Sequence, residues 1–426
     1  MKKTLLIMAA CVVSIAMFAT DLTGKRIYIN PGHGSWGPND RPNATIPYPN
    51  LASTGMPDTC GFYETNTNLW KCLELRDRLE AAGAFVMMSH TQGGPWPYEK
   101  VDGEYPDYTW EAYQQLPDFE KYNRPLLEIA DEAEANNMDY FISVHSNAAT
   151  DGNTVNYLAY FYRGNNAGEH VVPGAIEMCK ASWYHAFECR SMSGLEPNNY
   201  DTRDPETSKH ILADIDFYHS SYDATLPSSG KTYTGYLGVL HHGVPGFLVE
   251  GYFHTYQPAR HRALNPDYCK QEGIRYYRGI VDYFKADTDT KGYILGTVKD
   301  EHEPLVHEMY KYAPNTNDQY KPLNGAVVTL STEAGEVLAT YTVDQNYNGL
   351  FYFPNLEPGT YKLDAVADGY KPLHRQYQTV VVEANATSYP FLYLEDTAYV
   401  DLSNLYVDYP DPAQPAYAAV PEQFNM

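Results

Sequence analysis

Apolar positions along the chain fall into two textures. Up to about residue 287, short apolar runs alternate with segments whose apolar residues recur every three or four positions. The runs predict strands at 26–30, 85–88, 140–144, 157–162 and 246–250. Between them, helices are predicted over 66–82, with Leu69, Cys72, Leu73, Arg76 and Leu79 along one side and Gly83 as the stop, and over 126–135, opened by Pro125 and closed by Asn136-Asn137. Two more cover 172–187 and a segment carrying Ile274, Tyr277, Ile280, Val281 and Phe284 on one side. Such alternation predicts an α/β domain: a twisted, mostly parallel sheet with helices on both faces. Segments 31–61 and 92–120 are rich in Pro and Gly and read as loops, and 190–232, polar and turn-rich, reads as an insertion.

From Gly292 to about Leu394 the runs alternate in polarity residue by residue and are separated by turn signals, at 293–298, 326–330, 349–353, 359–363 and 378–382. This is the pattern of a smaller all-β, Ig-like sandwich. The expected organisation is therefore a leader at 1–20, a first domain at 21–288, a second at 289–395 and an acidic, Pro- and Tyr-rich tail at 396–426. No fixed-period repeat is present. Lys2 and Lys3 followed by the apolar run Leu5–Val13 and small residues read as a secretory signal peptide, so the mature protein is expected to be exported, periplasmic or cell-wall associated, and not integral to a membrane.

Composition narrows the function. A net charge of −24 over 426 residues excludes a nucleic-acid binder of the usual kind, which needs clustered Lys and Arg. The 40 tyrosines suit contact with sugars or peptides and equally suit a scattered surface. Without Cys11 five cysteines remain, an odd number, with no Cys-x-x-Cys pair; one or two disulfides are open and cysteine is a poor candidate metal ligand.

Candidate chemistry sits where apolar runs end. His33 follows Tyr28-Ile29-Asn30-Pro31-Gly32, His145 follows Phe141-Ile142-Ser143-Val144, and Glu250 follows Gly246-Phe247-Leu248-Val249, while Glu64 lies just before the helix expected from Asn66. In open α/β sheets ligands gather outside the carboxyl ends of strands. Two His and one Glu are the donors a single catalytic zinc takes, leaving a coordination position for water, with a second Glu to move protons. The assignment is His33, Glu64 and His145 as ligands and Glu250 as general base and acid; His241, His242, His254 and His261 are rival ligands. Each has a plain alternative: a histidine at a strand end is commonly structural, Glu64 could complement a helix dipole, and Glu250 could be a buried ion-pair partner. No Gly-x-Ser-x-Gly or local cysteine signature competes.

Asn30-Pro31-Gly32-His33-Gly34, Glu64 with Asn68-Leu69, Phe141 through Ala148, and Pro245 through Phe253 together resemble the zinc-dependent N-acetylmuramoyl-L-alanine amidases, the amidase type 3 catalytic family, from Arg26 to about Phe284. The resemblance implies a phosphorylase/hydrolase-like fold, one zinc on His33, Glu64 and His145, and Glu250 as the catalytic glutamate. It also implies peptidoglycan as partner, cleaved between N-acetylmuramic acid and L-alanine. Asn30 stands where the family commonly has Asp, His241 where Arg is frequent, and the loop after His33 is long. Residues 190–232 lie where some relatives carry a segment that covers the zinc until an activating protein partner displaces it. Gly296-Thr297-Val298, Pro322 through Val328, Asn348 through Phe353, Leu356 through Tyr361 and Ala367 through Tyr370 resemble the carboxypeptidase regulatory-like, transthyretin-like sandwich, implying a spacer, stabiliser or wall-contact role. Two other readings stand beside the amidase: a secreted zinc peptidase or amidase acting on a non-murein amide, and a non-catalytic wall-binding protein.

Overall fold

The computed structural model describes residues 21–34, 45–46, 62–91, 124–148, 156–193, 210–286, 289–306, 310–373 and 378–400. The expected leader, Cys11, Cys60, most of the two Pro/Gly-rich loops, residues 194–209 and the tail from 401 lie outside them. The first domain runs β1 (Arg26–Pro31), β2 (Thr45–Ile46), β3 (Phe62–Tyr63), α1 (Glu64–Ala81), β4 (Phe85–Met88), α2 (Leu126–Ala135), β5 (Tyr140–Asn147) and β6 (Ala159–Tyr162). It continues through α3 (Ala175–Ser193), β7 (Ile211–Ala213), α4 (Asp214–Tyr218), the hairpin β8 (Tyr222–Thr225) and β9 (Thr232–Gly235), β10 (Gly246–Phe253), α5 (Gln257–Ala263) and α6 (Pro266–Phe284).

Six strands form one sheet in the order β4-β1-β5-β10-β6-β7. All pairings are parallel except β10 with β6. That exception has a simple cause: residues 148–158, which join β5 to β6, are too few for the crossover a parallel return needs, so the chain comes back the other way. Period-two alternation divides the sheet into two covered faces. Tyr140, Ile142 and Val144 of β5 pack with Leu75 and Leu79 of α1, Cys179 of α3 and Ile280 of α6. Phe141 and Tyr28 face the other way, against Ile129 and Ala133 of α2 and Val239.

In the first domain the elements depart most from the sequence reading in four places. Helix α1 starts at Glu64, two residues early, because the Thr67 hydroxyl and Asn68 amide fold back onto Glu64. Strands β5 and β10 continue past His145 and Glu250 instead of ending there, because the two residues pair in register and the ladder goes on. Helix α5 was not anticipated, since Arg260, His261 and Arg262 look like solvent residues and are in fact buried. Residues 190–232, read as a polar, turn-rich insertion, form regular elements where they are described: α3 runs to Ser193, β7 is the sixth strand of the main sheet, and the β8–β9 hairpin begins within that span.

The sandwich comprises β11 (Gly292–Pro304), β12 (Tyr320–Pro322), β13 (Val327–Thr332), β14 (Val337–Thr342), β15 (Leu350–Leu356), β16 (Gly359–Val366), β17 (Gln378–Val382), β18 (Thr387–Ser388) and β19 (Phe391–Leu394). One sheet is built on β11 with β12, β15, β18 and β19, the other has the order β14-β13-β16-β17, and Val298, Val328, Leu330, Phe351, Leu363 and Leu392 fill the space between. Five strands stand where the alternation placed them. Strand β14 was missed because the adjacent apolar residues Val337 and Leu338, both exposed, open it and mask the period-two pattern of the residues that follow.

The two domains share a core. Tyr252, Tyr256, Ala259, Ala263 and Tyr268 pack with Tyr293, Leu295, Leu350 and Tyr352 of the sandwich. Beside them Asp318, 1% exposed, accepts from Arg262 Nη1 at 2.7 Å and from the Tyr256 hydroxyl at 3.1 Å, with Lys299 Nζ at 3.5 Å. Burial pushes the Lys299 ammonium down to about 8, against the pull of Asp318. Among the described residues no helix is long and apolar enough to cross a membrane. Since Asp318 is the acceptor that holds Arg262 across the interface and Lys299 within the sandwich, both buried, Asp318→Ala is expected to destabilise the folded chain by about 3–5 kcal/mol. Urea unfolding measures this, and a change below about 1 kcal/mol would show that the pair is not what joins the domains.

Candidate metal centre

Strand β1 stops at the Pro31-Gly32 turn, where the Gly32 N–H donates to the Val144 carbonyl at 2.8 Å, and His33 follows with φ 66°. Gly32 is required by proximity: a Cβ there would lie 2.5 Å from the His145 ring. Across that contact the two imidazoles meet edge to face, with centroids 4.9 Å apart.

Glu64, the first residue of α1, has no exposed surface. Its two oxygens have different surroundings. Oε1 accepts from the Ser146 N–H at 2.8 Å and from Asn68 Nδ2 at 3.2 Å, with His145 Nδ1 at 3.6 Å. Oε2 lies 3.2 Å from His33 Nε2 and 3.9 Å from His254 Nδ1 and takes part in no well-formed hydrogen bond. Burial opposes the charge on this carboxylate, yet His33, His145 and His254 hold it well below the usual carboxylate range. His254, also fully buried, is pushed down to about 4 by that burial despite the neighbouring Glu64.

One ligand atom from each of His33, Glu64 and His145 falls within 4.8 Å of the others. Tetrahedral zinc with bonds of about 2.0–2.1 Å places neighbouring donors about 3.3 Å apart, close to the His33–Glu64 separation. A buried carboxylate with one oxygen in no well-formed hydrogen bond, grouped with the His33 and His145 imidazoles, is a donor set that fits a divalent zinc ion.

The His145 ring is oriented from behind. Its Nε2 meets Ser143 Oγ at 3.1 Å, Ser143 Oγ accepts from Asn30 Nδ2 at 2.8 Å, and Asn30 Oδ1 accepts from Ser89 Oγ at 2.7 Å. This leaves Nδ1 turned toward Glu64. Asn30, where the resembled family commonly has Asp, both donates and accepts here, which an ionised carboxylate could not do.

Glu250 sits directly opposite His145 on the adjacent parallel strand, so both side chains leave the sheet on the same face. Tyr218, from the segment read as an insertion, lies near enough that burial and the Glu250 charge together raise its phenol above the ordinary range.

Of the rival histidines only His254 reaches the site. His241 lies against the Tyr222 ring at 4.4 Å, His242 against Phe141 at 4.4 Å with Nδ1 donating to the Val244 carbonyl at 2.9 Å, and His261 donates to the Asn346 carbonyl of the sandwich at 2.7 Å. Asn68, Ser143 and Ser146 were not singled out from sequence. The alternation in Phe141–Asn147 was the available signal, because Ser143 and His145 must share a face. Two other groups, Glu301–His302–Glu395 and Asp300–Glu303–Asp396, lie in the sandwich, where Lys321 pairs with Glu303 and Lys371 with Glu395. Cys72, Cys179 and Cys269 are buried free thiols.

Comparison with known proteins gives one family match for each domain. A family model described as N-acetylmuramoyl-L-alanine amidase matches residues 27–282, and one described as carboxypeptidase regulatory-like domain matches residues 316–389. Among solved structures, an N-acetylmuramoyl-L-alanine amidase from Clostridium difficile 630 is 17% identical, covering 61% of this chain and 97% of its own, with a TM-score of 0.37. The amidase Ami1 from Mycobacterium smegmatis is 13% identical, covering 62% of this chain and 99% of its own, with a TM-score of 0.39. The CwlD amidase from Clostridioides difficile, solved with the GerS lipoprotein, is 18% identical, covering 61% and 98%, with a TM-score of 0.38. No curated protein matches the chain.

Two outcomes are expected from this geometry. Gly32→Ala, by forcing the His145 ring aside, should weaken Zn2+ binding about tenfold or more in a chelator competition; unchanged affinity would show that the close approach does not set the ring. His242, held neutral with its pKa pushed down to about 3 by burial, titrates near 6.5 once unfolded. Between those values the unfolded chain carries the extra proton, so this contribution is complete above about pH 6.5 and lost as pH falls, by about 2–3 kcal/mol at pH 4.5. His242→Gln should flatten the stability slope between pH 7 and 4.5, and an unaltered slope would contradict it.

Proposed function

The chain belongs to the N-acetylmuramoyl-L-alanine amidase family, and from that premise we propose that His33, Glu64 and His145 hold one catalytic zinc ion while Glu250 moves the protons of amide hydrolysis. The family acts on peptidoglycan, at the bond between the lactyl group of N-acetylmuramic acid and the L-alanine of the stem peptide. The observation that carries the proposal is the grouping of His33, Glu64 and His145, in which the buried Glu64 Oε2 atom lies 3.2 Å from His33 Nε2 and takes part in no well-formed hydrogen bond.

Zinc in such a site lowers the pKa of a water to about 7 and polarises a carbonyl. The chain supplies the rest. Glu250, one strand over from His145 and on its face, accepts a proton from the attacking water as the new C–O bond forms. It then delivers that proton to the stem-peptide nitrogen as the C–N bond breaks, since an amine departs readily and an amide anion does not. The products are a lactyl carboxylate on an intact glycan and a peptide with a free L-alanine amino terminus. Asn68, the Ser146 N–H and the Ser143–Asn30–Ser89 series keep the ligands aimed, so little reorganisation is left for the reaction itself.

The leader-like residues 1–20 support export to the periplasm or cell wall, where this substrate lies. Glu250→Gln should keep zinc and lose about 10²–10⁴ in kcat/KM on purified peptidoglycan, and chelation should abolish the wild-type activity until zinc is restored. Wild-type digestion that releases no L-alanine amino termini would overturn the reaction, and an active Glu250→Gln would overturn the proton-transfer role.

A further inference from the structure

Resting on the reading that His33, Glu64 and His145 hold a metal ion, we infer that His254 and Ser146 form a positioning pair that decides which oxygen of Glu64 is presented to it. Strand β10 is irregular. Where β5 advances two residues, from His145 to Asn147, β10 advances three, from Glu250 to Phe253. One extra residue reverses the side on which every later side chain lies. Glu250 shares the face of His145, and Phe253, opposite Asn147, shares it again. Tyr252 and His254 are thereby turned to the other face, toward α1, where the Tyr252 hydroxyl reaches Thr67 Oγ1 at 3.4 Å. The His254 N–H continues the ladder by donating to the Asn147 carbonyl at 2.9 Å.

On that side His254 Nδ1 meets Ser146 Oγ at 3.0 Å, and the same serine donates its backbone N–H to Glu64 Oε1 at 2.8 Å. Both residues are buried, His254 to 1% and Ser146 to 4% exposure. At 3.9 Å from Oε2, His254 does not bond the carboxylate directly. It acts in two other ways. By anchoring the Ser146 hydroxyl it fixes the backbone donor that occupies Oε1, and by filling the volume beside Oε2 it keeps the carboxylate from rotating that oxygen away. With Oε1 taken by Ser146 and Asn68, Oε2 is the oxygen left for the metal. The irregular strand therefore serves the centre twice, with Glu250 on one face and His254 on the other.

Zn2+ itself is the probe, titrated against a chromophoric chelator into the full chain, with circular dichroism and thermal unfolding of the zinc-free proteins as the check on folding. His254→Ala should weaken Zn2+ binding about 10–100-fold, the range for loss of a residue that orients a ligand. Ser146→Ala, which keeps its N–H and loses the anchor, should weaken it by a smaller factor. His254→Gln, able to bond the hydroxyl again, should recover most of the affinity. Because His254 works partly through Ser146, the double alanine variant should lose less than the product of the single losses. A folded His254→Ala with wild-type affinity overturns the pair's role. Should that variant not fold, wild-type affinity in Ser146→Ala overturns it equally. Wild-type protein that binds no Zn2+ overturns the metal reading itself, a result visible before any variant is made.

Discussion

The constraint to which the site answers is the burial of the Glu64 carboxylate. A carboxylate with no exposed surface takes up a proton unless its charge is met by donors and by positive or polarisable neighbours. Those groups arrive from four places in the chain: His33 after β1, Asn68 within α1, His145 and Ser146 on β5, and His254 after β10. They meet because β1, β5 and β10 are parallel neighbours and so bring their carboxyl ends to one edge of the sheet. A sheet with any of those three reversed would put one group at the opposite edge.

The same constraint shapes α1. Its buried stripe begins Glu64, Thr67, Asn68, Lys71, which is helical spacing filled with polar residues, and only lower down becomes Cys72, Leu75 and Leu79. Lys71, without exposed surface, meets Glu272 Oε2 of α6 at 2.8 Å, Glu272 Oε1 meets Arg275 at 3.0 Å, and the Tyr252 ring lies 4.2 Å from the Lys71 ammonium. A buried ion pair adds little net stability, but it allows few alternative rotations of the helix that carries it. Gly273 completes the fit, because a Cβ at that position would stand 2.5 Å from the Lys71 carbonyl oxygen. Helix α1 is thus locked two turns below the residue whose carboxylate must not move.

How much of this could be read from the chain follows from what each signal encodes. Period-two and helical spacing gave β1, β4, β5, β10 and the body of α1, and strand ends gave His33, His145, Glu250 and, through the loop returning from β1, Glu64. Apolar periodicity carries no information about a polar stripe that is buried because its members satisfy one another, so Asn68 entered only through the family resemblance, without a role, and Lys71 passed unnoticed. Nor does it report where strands end when the last residues are polar, which is why His145 and Glu250 looked terminal and the irregularity beyond them was invisible. His254 was one of four rival histidines, and nothing local separates it from His242. Only the side reversed by one extra residue does so.

The sandwich is tied to the site through the chain that makes it. Glu250 and His254 are followed within a few residues by Tyr256, whose hydroxyl donates to Asp318, and by Arg262, which Asp318 also holds. The intervening helix α5 carries buried Arg260 and His261, residues that a free-standing domain would leave in water. Asn348 of the sandwich donates to the His261 carbonyl, and Asn265, the cap of α6, bonds Tyr341 and Asp344. The turn that leads from Glu250 and His254 into α6 is therefore built against the second domain on one side and the α/β core on the other. A spacer would tolerate any orientation, whereas a shared core with a buried aspartate between two cations fixes one. The second domain belongs to the structure that holds β10 in place.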